Sequence, residues 1–312
     1  MTDQPTDSAP AVTAVVLPGT DAPLAEGELV VLVDRKRRRY LVTLEAGAEW
    51  HSHGGIVAHD DLVGVAEGSA VRTTKGMEVV ALRPTREDFV LKMKRGAQVV
   101  YPKDQAMIVA AADVRPGCTV VEAGAGSGAL TLALLAAVGE QGRVVSVELR
   151  EDHAVHARRN VARFHGGTAP ANWELRDGDV VDVLPTVPAH RVVLDLLEPW
   201  RAVDAAAASL SPGGIVLAYM PTVTQVMRFT EACWADGRFS DVRTTETLVR
   251  GWDVDGLAVR PAHRMVAHTA FLTTARRVPA REEGGPPAPR RKADTGPAIV
   301  WDDTAGADDD LD

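Results

Sequence analysis

The segment CTVVEAGAGSGALTLALL, residues 118–135, constrains this chain more than any other part of it. A run rich in β-branched residues passes through alternating glycines straight into an unbroken helical stretch. Glycine tolerates the left-handed backbone of a tight turn and lets peptide N–H groups approach a ligand. A buried strand feeding a helix through such a loop therefore reads as the first βα unit of a nucleotide-binding sheet. Gly124, Ala125, Gly126, Ser127, Gly128 and Ala129 are expected to face the cofactor. The loop alone does not choose which cofactor, because Gly124, Gly126 and Ala129 also satisfy the dinucleotide fingerprint with its permitted terminal alanine.

The flanking pattern agrees with this start. After Pro102, strand-like and helical stretches alternate: CTVVEA, GALTLALLAAV, GRVVSVE, REDHAVHARRNVARF, NWELRD, RVVLDL, AVDAAAASL, GGIVLAYM and TVTQVMRFTEACWADG, closed by strand-like DVRTTETL and MVAHTAFLTTA. That alternation predicts a doubly wound, Rossmann-like α/β sheet, mostly parallel. Upstream, ELVVLVD, RYLVTL, SAVRTT and MEVVALRP, separated by glycine-containing turns, predict a small β domain, and TREDFVLKM opens the helical part. The expected organisation is a disordered arm over 1–22, a small β domain over 23–84, the α/β domain over 85–277 and a disordered tail over 278–312. Both arms mix Pro, Ala, Gly and charge without periodicity, too little apolar surface to offset the entropy of ordering, and Trp301 reads as an incidental aromatic of the tail.

Several classes are excluded by composition. With 46% hydrophobic and 25% charged residues and no apolar run of membrane-spanning length, no membrane helix is expected. The N-terminus MTDQPTDSAP lacks the basic and apolar parts of a secretory leader, so a cytoplasmic location is expected. Cys118 and Cys233 lie far apart without a CxxC pattern, which leaves them as small core residues. The net charge of −9 argues against a nucleic-acid partner only until it is located, because −3 of it falls in residues 1–22 and −3 in residues 276–312, leaving −3 for the body. Residues 29–103 carry thirteen Lys or Arg against nine Asp or Glu, including the run Arg35, Lys36, Arg37, Arg38, Arg39. That run is either a phosphate contact or a solvated hairpin tip. His51, His53 and His59 cluster in HSHGGIVAHD, but no acid or cysteine stands at ligand spacing, and no metal is expected.

Acids at the strand ends discriminate between cofactors. Glu122 stands just before the glycine loop, Glu148 ends VVSVE 24 residues after Gly124, Asp177 and Asp179 follow NWELR, and Asp195 ends RVVLD. A carboxylate at the second strand end can take both hydroxyls of an adenosine ribose. Acids after strands two, three and four suit a cationic sulfonium cofactor with an amino-acid moiety, whereas a pyrophosphate would be repelled by Glu122.

EAGAGSGALTLAL, DLLEPW, RGAQVVYPKD and the closing HTAFL resemble the bacterial tRNA (adenine-58-N1)-methyltransferase family, its actinobacterial branch in particular, from about Glu28 to Arg277. The glycine loop by itself indicates only a class I methyltransferase; YPKD upstream together with DLLEPW downstream is specific. The resemblance implies S-adenosyl-L-methionine as cofactor, tRNA as partner substrate and a homotetramer. It places Gln98 and the loop from Gly124 to Ala129 at the cofactor, Glu148 at its ribose and Asp179 at its adenine. Asp195 matches the catalytic acid, and Tyr101 and Tyr219 match aromatics near the target base. His153, five positions after the ribose acid, departs from the Arg of some members. Trp252, Arg260 and His268 fall in a loop expected to fold over the site.

The chemistry agrees with these roles. Adenine N1 already carries a lone pair, so methyl transfer needs alignment and a negative group near the exocyclic amine rather than a strong base. Asp195 can accept a hydrogen bond from that amine, or serve only as a cofactor ligand; Tyr101 can stack on an extruded base, or simply pack in the core. A methyltransferase for a small molecule or protein, and a non-catalytic tRNA-binding subunit, are the alternative functions. A basic β domain has no purpose for a small substrate, and a purely binding subunit has no need of Glu148 and Asp195.

Overall fold

Short strands with polar turns open the chain and longer apolar strands follow, and the two patterns form two kinds of sheet. A computed structural model describes residues 18–96, 98–280 and 283–285. Most of both expected arms, Trp301 included, lies outside the described residues.

The first unit comprises β1 (Leu29–Asp34), β2 (Arg39–Thr43), β3 (Glu49–Ser52), β4 (Gly55–Ala58), β5 (Ala70–Arg72) and β6 (Glu78–Leu82). β2, β1, β6 and β5 make an antiparallel sheet in that order, and β3 and β4 form a separate hairpin. Its core gathers Leu24, Val30, Leu32, Leu44, Trp50 and Val57, all buried. The buried Arg83 guanidinium closes one end, bridging Glu28 at 3.0 Å and Glu67 at 3.2 Å.

Helix α1 (Arg86–Lys92) begins at a capping box: Thr85 Oγ1 accepts from the Asp88 amide while Asp88 accepts from the Thr85 amide. Next is α2 (Pro102–Ala111), absent from the sequence reading, with Tyr101 at its N-cap and Pro102 preset for the first turn. Alternating strands and helices follow, then the closing strands: β7 (Thr119–Ala123), α3 (Ala129–Val138), β8 (Arg143–Glu148), α4 (Glu151–Phe164), β9 (Trp173–Asp177), α5 (Val180–Val183), β10 (Ala189–Leu194), α6 (Val203–Ser209), β11 (Leu210–Met220), α7 (Val223–Asp236), β12 (Phe239–Glu246), the β13 (Trp252–Asp255) and β14 (Ala258–Pro261) hairpin, and β15 (Phe271–Arg277).

Seven strands form one sheet in the order β12-β15-β11-β10-β7-β8-β9. Pairing is parallel from β11 to β9, and β15 inserts antiparallel between β11 and β12. Both faces are covered, with α3 and its Leu130, Leu132 and Leu134 on one side and α6, α7 and Phe229 on the other. The chain runs outward from β7 in both directions, so β7 and β10 flank the topological switch point, where open α/β sheets leave a crevice for ligands. Cys118 and Cys233 are buried free thiols. Among the described residues no helix is long and apolar enough to cross a membrane.

Candidate active site

The crevice opens at the carboxyl ends of β7, β8 and β10. Gly124, Glu148, Leu149, Asp179, Val180, Leu197 and Arg201 are among the residues lining a cleft of about 780 Å³, counting its open mouth. Gly124 has φ +86°, and a Cβ there would stand 2.1 Å from the carbonyl oxygen of Asp195. Only glycine permits β7 and β10 to come this close, and the Asp195 amide donates to the Ala123 carbonyl at 2.9 Å across the gap. Gly128, φ +79°, caps α3; a Cβ would meet Val161 Cγ2 at 3.1 Å. Asn160 ties this loop down, donating to the Ser127 carbonyl at 2.9 Å and the Lys94 carbonyl at 3.0 Å.

Three acids converge behind and beside the loop. Glu148, buried, accepts from the Gly126 amide at 2.8 Å and the Arg150 amide at 3.0 Å. His153 Nδ1 lies 3.9 Å from Glu148 Oε2. Glu122 is fully buried; one carboxyl oxygen accepts from Thr131 Oγ1 and Ser146 Oγ, both at 2.6 Å, while Oε1 has no partner among the described residues. Burial raises Glu122 to about 7 despite those two hydrogen bonds, helped by the charges of Asp195 and Glu148. Asp195 is also raised to about 7, by burial first and then by Glu148. Asp195 is partly buried and stands next to Leu196 and Leu197, which line the cleft, without lining it itself.

The other site residues of the sequence reading divide. Asp179 lines the cleft and caps α5 by accepting from the Val181 amide at 3.0 Å. Asp177, the other acid of this strand end, takes Arg158 on both carboxyl oxygens at 2.9 and 3.0 Å. Tyr219 is buried at the end of β11, where burial and Asp104 hold its hydroxyl protonated well above the usual phenol range. Tyr101 is partly buried; Gln98 is exposed, and neither lines the cleft. Leu149 and Leu197, 72% and 82% exposed at the mouth, were missed. Their signal was position: each directly follows or nearly follows a strand-end acid, Glu148 or Asp195.

Outside the cleft, Arg38 pairs with Asp34 at 2.6 Å, Arg39 with Asp88 and Arg35 with Glu78, so the basic run is the tip of the β1–β2 hairpin with three of its five cations neutralised. Of the three histidines, His51 lies on β3 beside Glu49 at 3.0 Å, His53 in the turn contacts Arg38 at 3.0 Å, and buried His59 accepts from the Glu45 amide at 3.1 Å. Trp252 and Arg260 stand on the exposed β13–β14 hairpin rather than over the cleft. His268 bridges Glu246 and the Pro221 carbonyl at 2.7 and 2.8 Å, acceptors that raise its pKa, the carbonyl most.

The donor set fits a cationic nucleoside better than a dinucleotide. Glu122 presents an orphaned buried oxygen, Asp195 has no side-chain hydrogen bond among the described residues, and the one cation lining the cleft among them, Arg201, already faces Glu198 at 3.7 Å. A strand order reversing at β7, a glycine loop and an acid-lined pocket together define a class I methyltransferase, with S-adenosylmethionine as cofactor.

Comparison with known proteins narrows the class. Residues 78–260 match the family model described as tRNA methyltransferase complex GCD14 subunit, residues 23–71 match that of TrmI-like N-terminal regions, and the chain belongs to this tRNA methyltransferase family. It is 41% identical over 256 residues to the tRNA (adenine(58)-N(1))-methyltransferase TrmI of Thermus thermophilus, covering 80% of this chain and 96% of that protein. The crystal structure of a SAM-dependent O-methyltransferase from Thermotoga maritima superimposes with a TM-score of 0.79 at 31% identity, over 83% of this chain and 96% of that one. That of tRNA (m1A58) methyltransferase TrmI from Aquifex aeolicus gives 0.72 at 28% identity, over 83% and 100%.

Proposed function

We propose that this chain transfers a methyl group from S-adenosylmethionine to N1 of adenine 58 in the T-loop of tRNA, with Asp195 as the acid that receives the target base. The observation that carries the reading is Asp195 itself: a partly buried carboxyl group at the end of β10, at the switch point, raised to about 7 by burial and by Glu148, with no side-chain hydrogen bond among the described residues. A carboxyl group perturbed in this way at a ligand crevice marks a functional site.

The bound cofactor supplies an activated methyl group on a positively charged sulfur. Glu148 would hold its ribose hydroxyls and Asp179 its adenine edge, with Leu149 and Leu197 offering apolar surface at the mouth of the cleft. Gly124 lines the cleft, and the loop through Ala125, Gly126, Ser127, Gly128 and Ala129, with His153 beside Glu148 and the buried Glu122, would complete the cofactor's surroundings; Gln98, exposed and outside the cleft, would reach it only if its segment moved. In its ionised form Asp195 would accept a hydrogen bond from the adenine N6 amine. That amine becomes more acidic as positive charge develops on the ring, so the bond strengthens in the transition state, which is the condition for catalysis. Tyr101 and Tyr219 flank the extruded base, and the permanently protonated Tyr219 hydroxyl serves as a fixed dipole rather than a base.

We further propose that residues 23–84 form a separate domain that seats the tRNA, that residues 85–277 carry the chemistry, and that four copies assemble. The β13–β14 hairpin supports assembly: Leu257 is fully exposed at its tip and Trp252 is 60% exposed, apolar surface of the kind interfaces cover. The substrate places the enzyme's work in the cytoplasm. An oxygen-directed reading has the Thermotoga maritima structure in its favour, but a hydroxyl nucleophile must first be deprotonated, and the described residues lining the pocket include no histidine or lysine beside Asp195 to share that task. Incubation with labelled S-adenosylmethionine and unmodified bulk tRNA, followed by mass spectrometry of the nucleosides, tests the reading. 1-Methyladenosine at position 58 is expected; label in a ribose hydroxyl or none in tRNA would overturn it.

A further inference from the structure

One buried charge beside the site has no role in the chemistry above. Lys103, in the first turn of α2, spends all three ammonium protons: on Asp104 Oδ1 at 2.8 Å, on the Thr247 carbonyl at 2.8 Å and on Thr269 Oγ1 at 2.7 Å. The Thr269 hydroxyl donates onward to Asp104 Oδ2 at 2.6 Å. Asp104 is fully buried and the Lys103 side chain is 10% exposed. The Tyr219 phenol is brought here by the β11–β15 pairing, where Tyr219 stands opposite Leu272, three residues from Thr269, and Asp104 is close enough to raise its pKa beyond what burial does.

The topology gives these bonds a meaning. Thr247 follows the last residue of β12 and Thr269 precedes β15, so they are the two roots of the exposed arm that carries the β13–β14 hairpin. A single ammonium thus fastens both roots to the turn whose N-cap is Tyr101, and Tyr219 on β11 borders the same cluster. For stability alone, an apolar residue of similar volume would serve as well as a buried ion pair. What an apolar residue cannot do is fix the direction of a hydroxyl.

We propose that Lys103 is a positioning residue for methyl transfer: through Asp104 and Thr269 it holds Tyr219 in register with the target base and couples that register to the arm. This rests on the placement of Tyr219 at the base proposed above. The test is a double-mutant cycle of Lys103→Met and Tyr219→Phe in the full chain. Single-turnover rates are measured at saturating unmodified tRNA and S-adenosylmethionine, with S-adenosylhomocysteine affinity and thermal unfolding followed in parallel. Each single variant is expected to slow the chemical step by about tenfold while S-adenosylhomocysteine affinity stays within about twofold, and the double variant is expected to be no slower than the worse single, because residues acting as one unit are not additive. Multiplying losses, or a Lys103→Met rate equal to wild type while Tyr219→Phe is slow, overturns the clasp and leaves the proposed function standing. A normal rate for Tyr219→Phe overturns both the clasp and the placement of Tyr219. If Lys103→Met does not fold, Thr269→Val takes its place in the same cycle, with the same outcomes.

Discussion

The acids of the cleft and the bases of the first hairpin are both dense clusters of one charge, yet the structure treats them in opposite ways. Arg35, Arg38 and Arg39 each meet a carboxylate on a neighbouring strand or helix. Glu122 and Asp195 meet no cation among the described residues; burial first, and then the charge of Glu148, push both to about 7. A cluster neutralised from within is part of the fold's own electrostatics. A cluster left unneutralised at a switch point stores a cost that only a ligand of opposite charge removes. Charge count along the sequence cannot tell the two apart, because it does not know the partners.

The strongest test of that contrast is Asp195→Ala. Its carboxylate acts on the reacting centre and makes no contact the fold depends on, so single-turnover methylation should fall at least about 100-fold while tRNA affinity stays within about twofold. Glu148→Ala comes next. It removes a charged acceptor from two ribose hydroxyls and from the Gly126 amide, and should weaken S-adenosylhomocysteine binding by about 1.5–3 kcal/mol, read by calorimetric titration. Unchanged affinity would move the ribose elsewhere and remove the basis for reading the cleft as the nucleoside site.

The sequence showed the sheet because buried parallel strands and their helices repeat a pattern that depends on local composition, and it showed the glycine loop because positive φ and a 2.1 Å approach leave no choice of residue at Gly124. Glu148 and Asp195 were legible for a related reason, each ending a recognisable strand. Pairing was not legible. Asp177 and Asp179 look equivalent in DGD, and only the fold sends Arg158 from α4 to one and a helix start to the other. Nor was α2: its apolar residues do not line one face cleanly, and Pro102 suggests a break until it is seen at the first helical position, where proline is favoured. The Lys103 clasp joins residues more than 140 positions apart and has no local signature at all.

A smaller effect separates the buried acids from ordinary surface carboxylates. A carboxyl group whose folded pKa lies above its unfolded value binds more protons in the folded state between the two values, so stability falls as pH rises through that window and levels off above it. For Glu122, raised from 4.5 to about 7, the window runs from about pH 4.5 to 7. The cofactor-free protein should therefore lose stability across this range relative to Glu122→Gln, whose neutral amide does not titrate, by a few degrees of melting temperature. Parallel melting curves for the two proteins across pH 5–7.5 would show that Glu122 is paired in solution. With S-adenosylmethionine bound, the same window should flatten, since the sulfonium favours the ionised acid.

The least effect belongs to the hairpin tip. With Arg35, Arg38 and Arg39 engaged by Glu78, Asp34 and Asp88, only Lys36 and Arg37 have no ion-pair partner among the described residues. Arg37 sits at the turn with φ +60°, and both Lys36 and Arg37 are exposed. Counterion release counts contacts made and not charges carried, at roughly 0.7–0.9 units of salt slope per phosphate. Replacing Lys36 and Arg37 together with Ser should thus lower the slope of log tRNA affinity against log salt by no more than about two units, leaving cofactor affinity unchanged. Replacing Arg38 and Arg39 instead should lower the melting temperature and leave the slope nearly intact, because their partners lie within the protein. If that second pair changes the slope more than the first, their ion pairs open when tRNA binds, and the distinction between neutralised and unneutralised clusters fails at this hairpin.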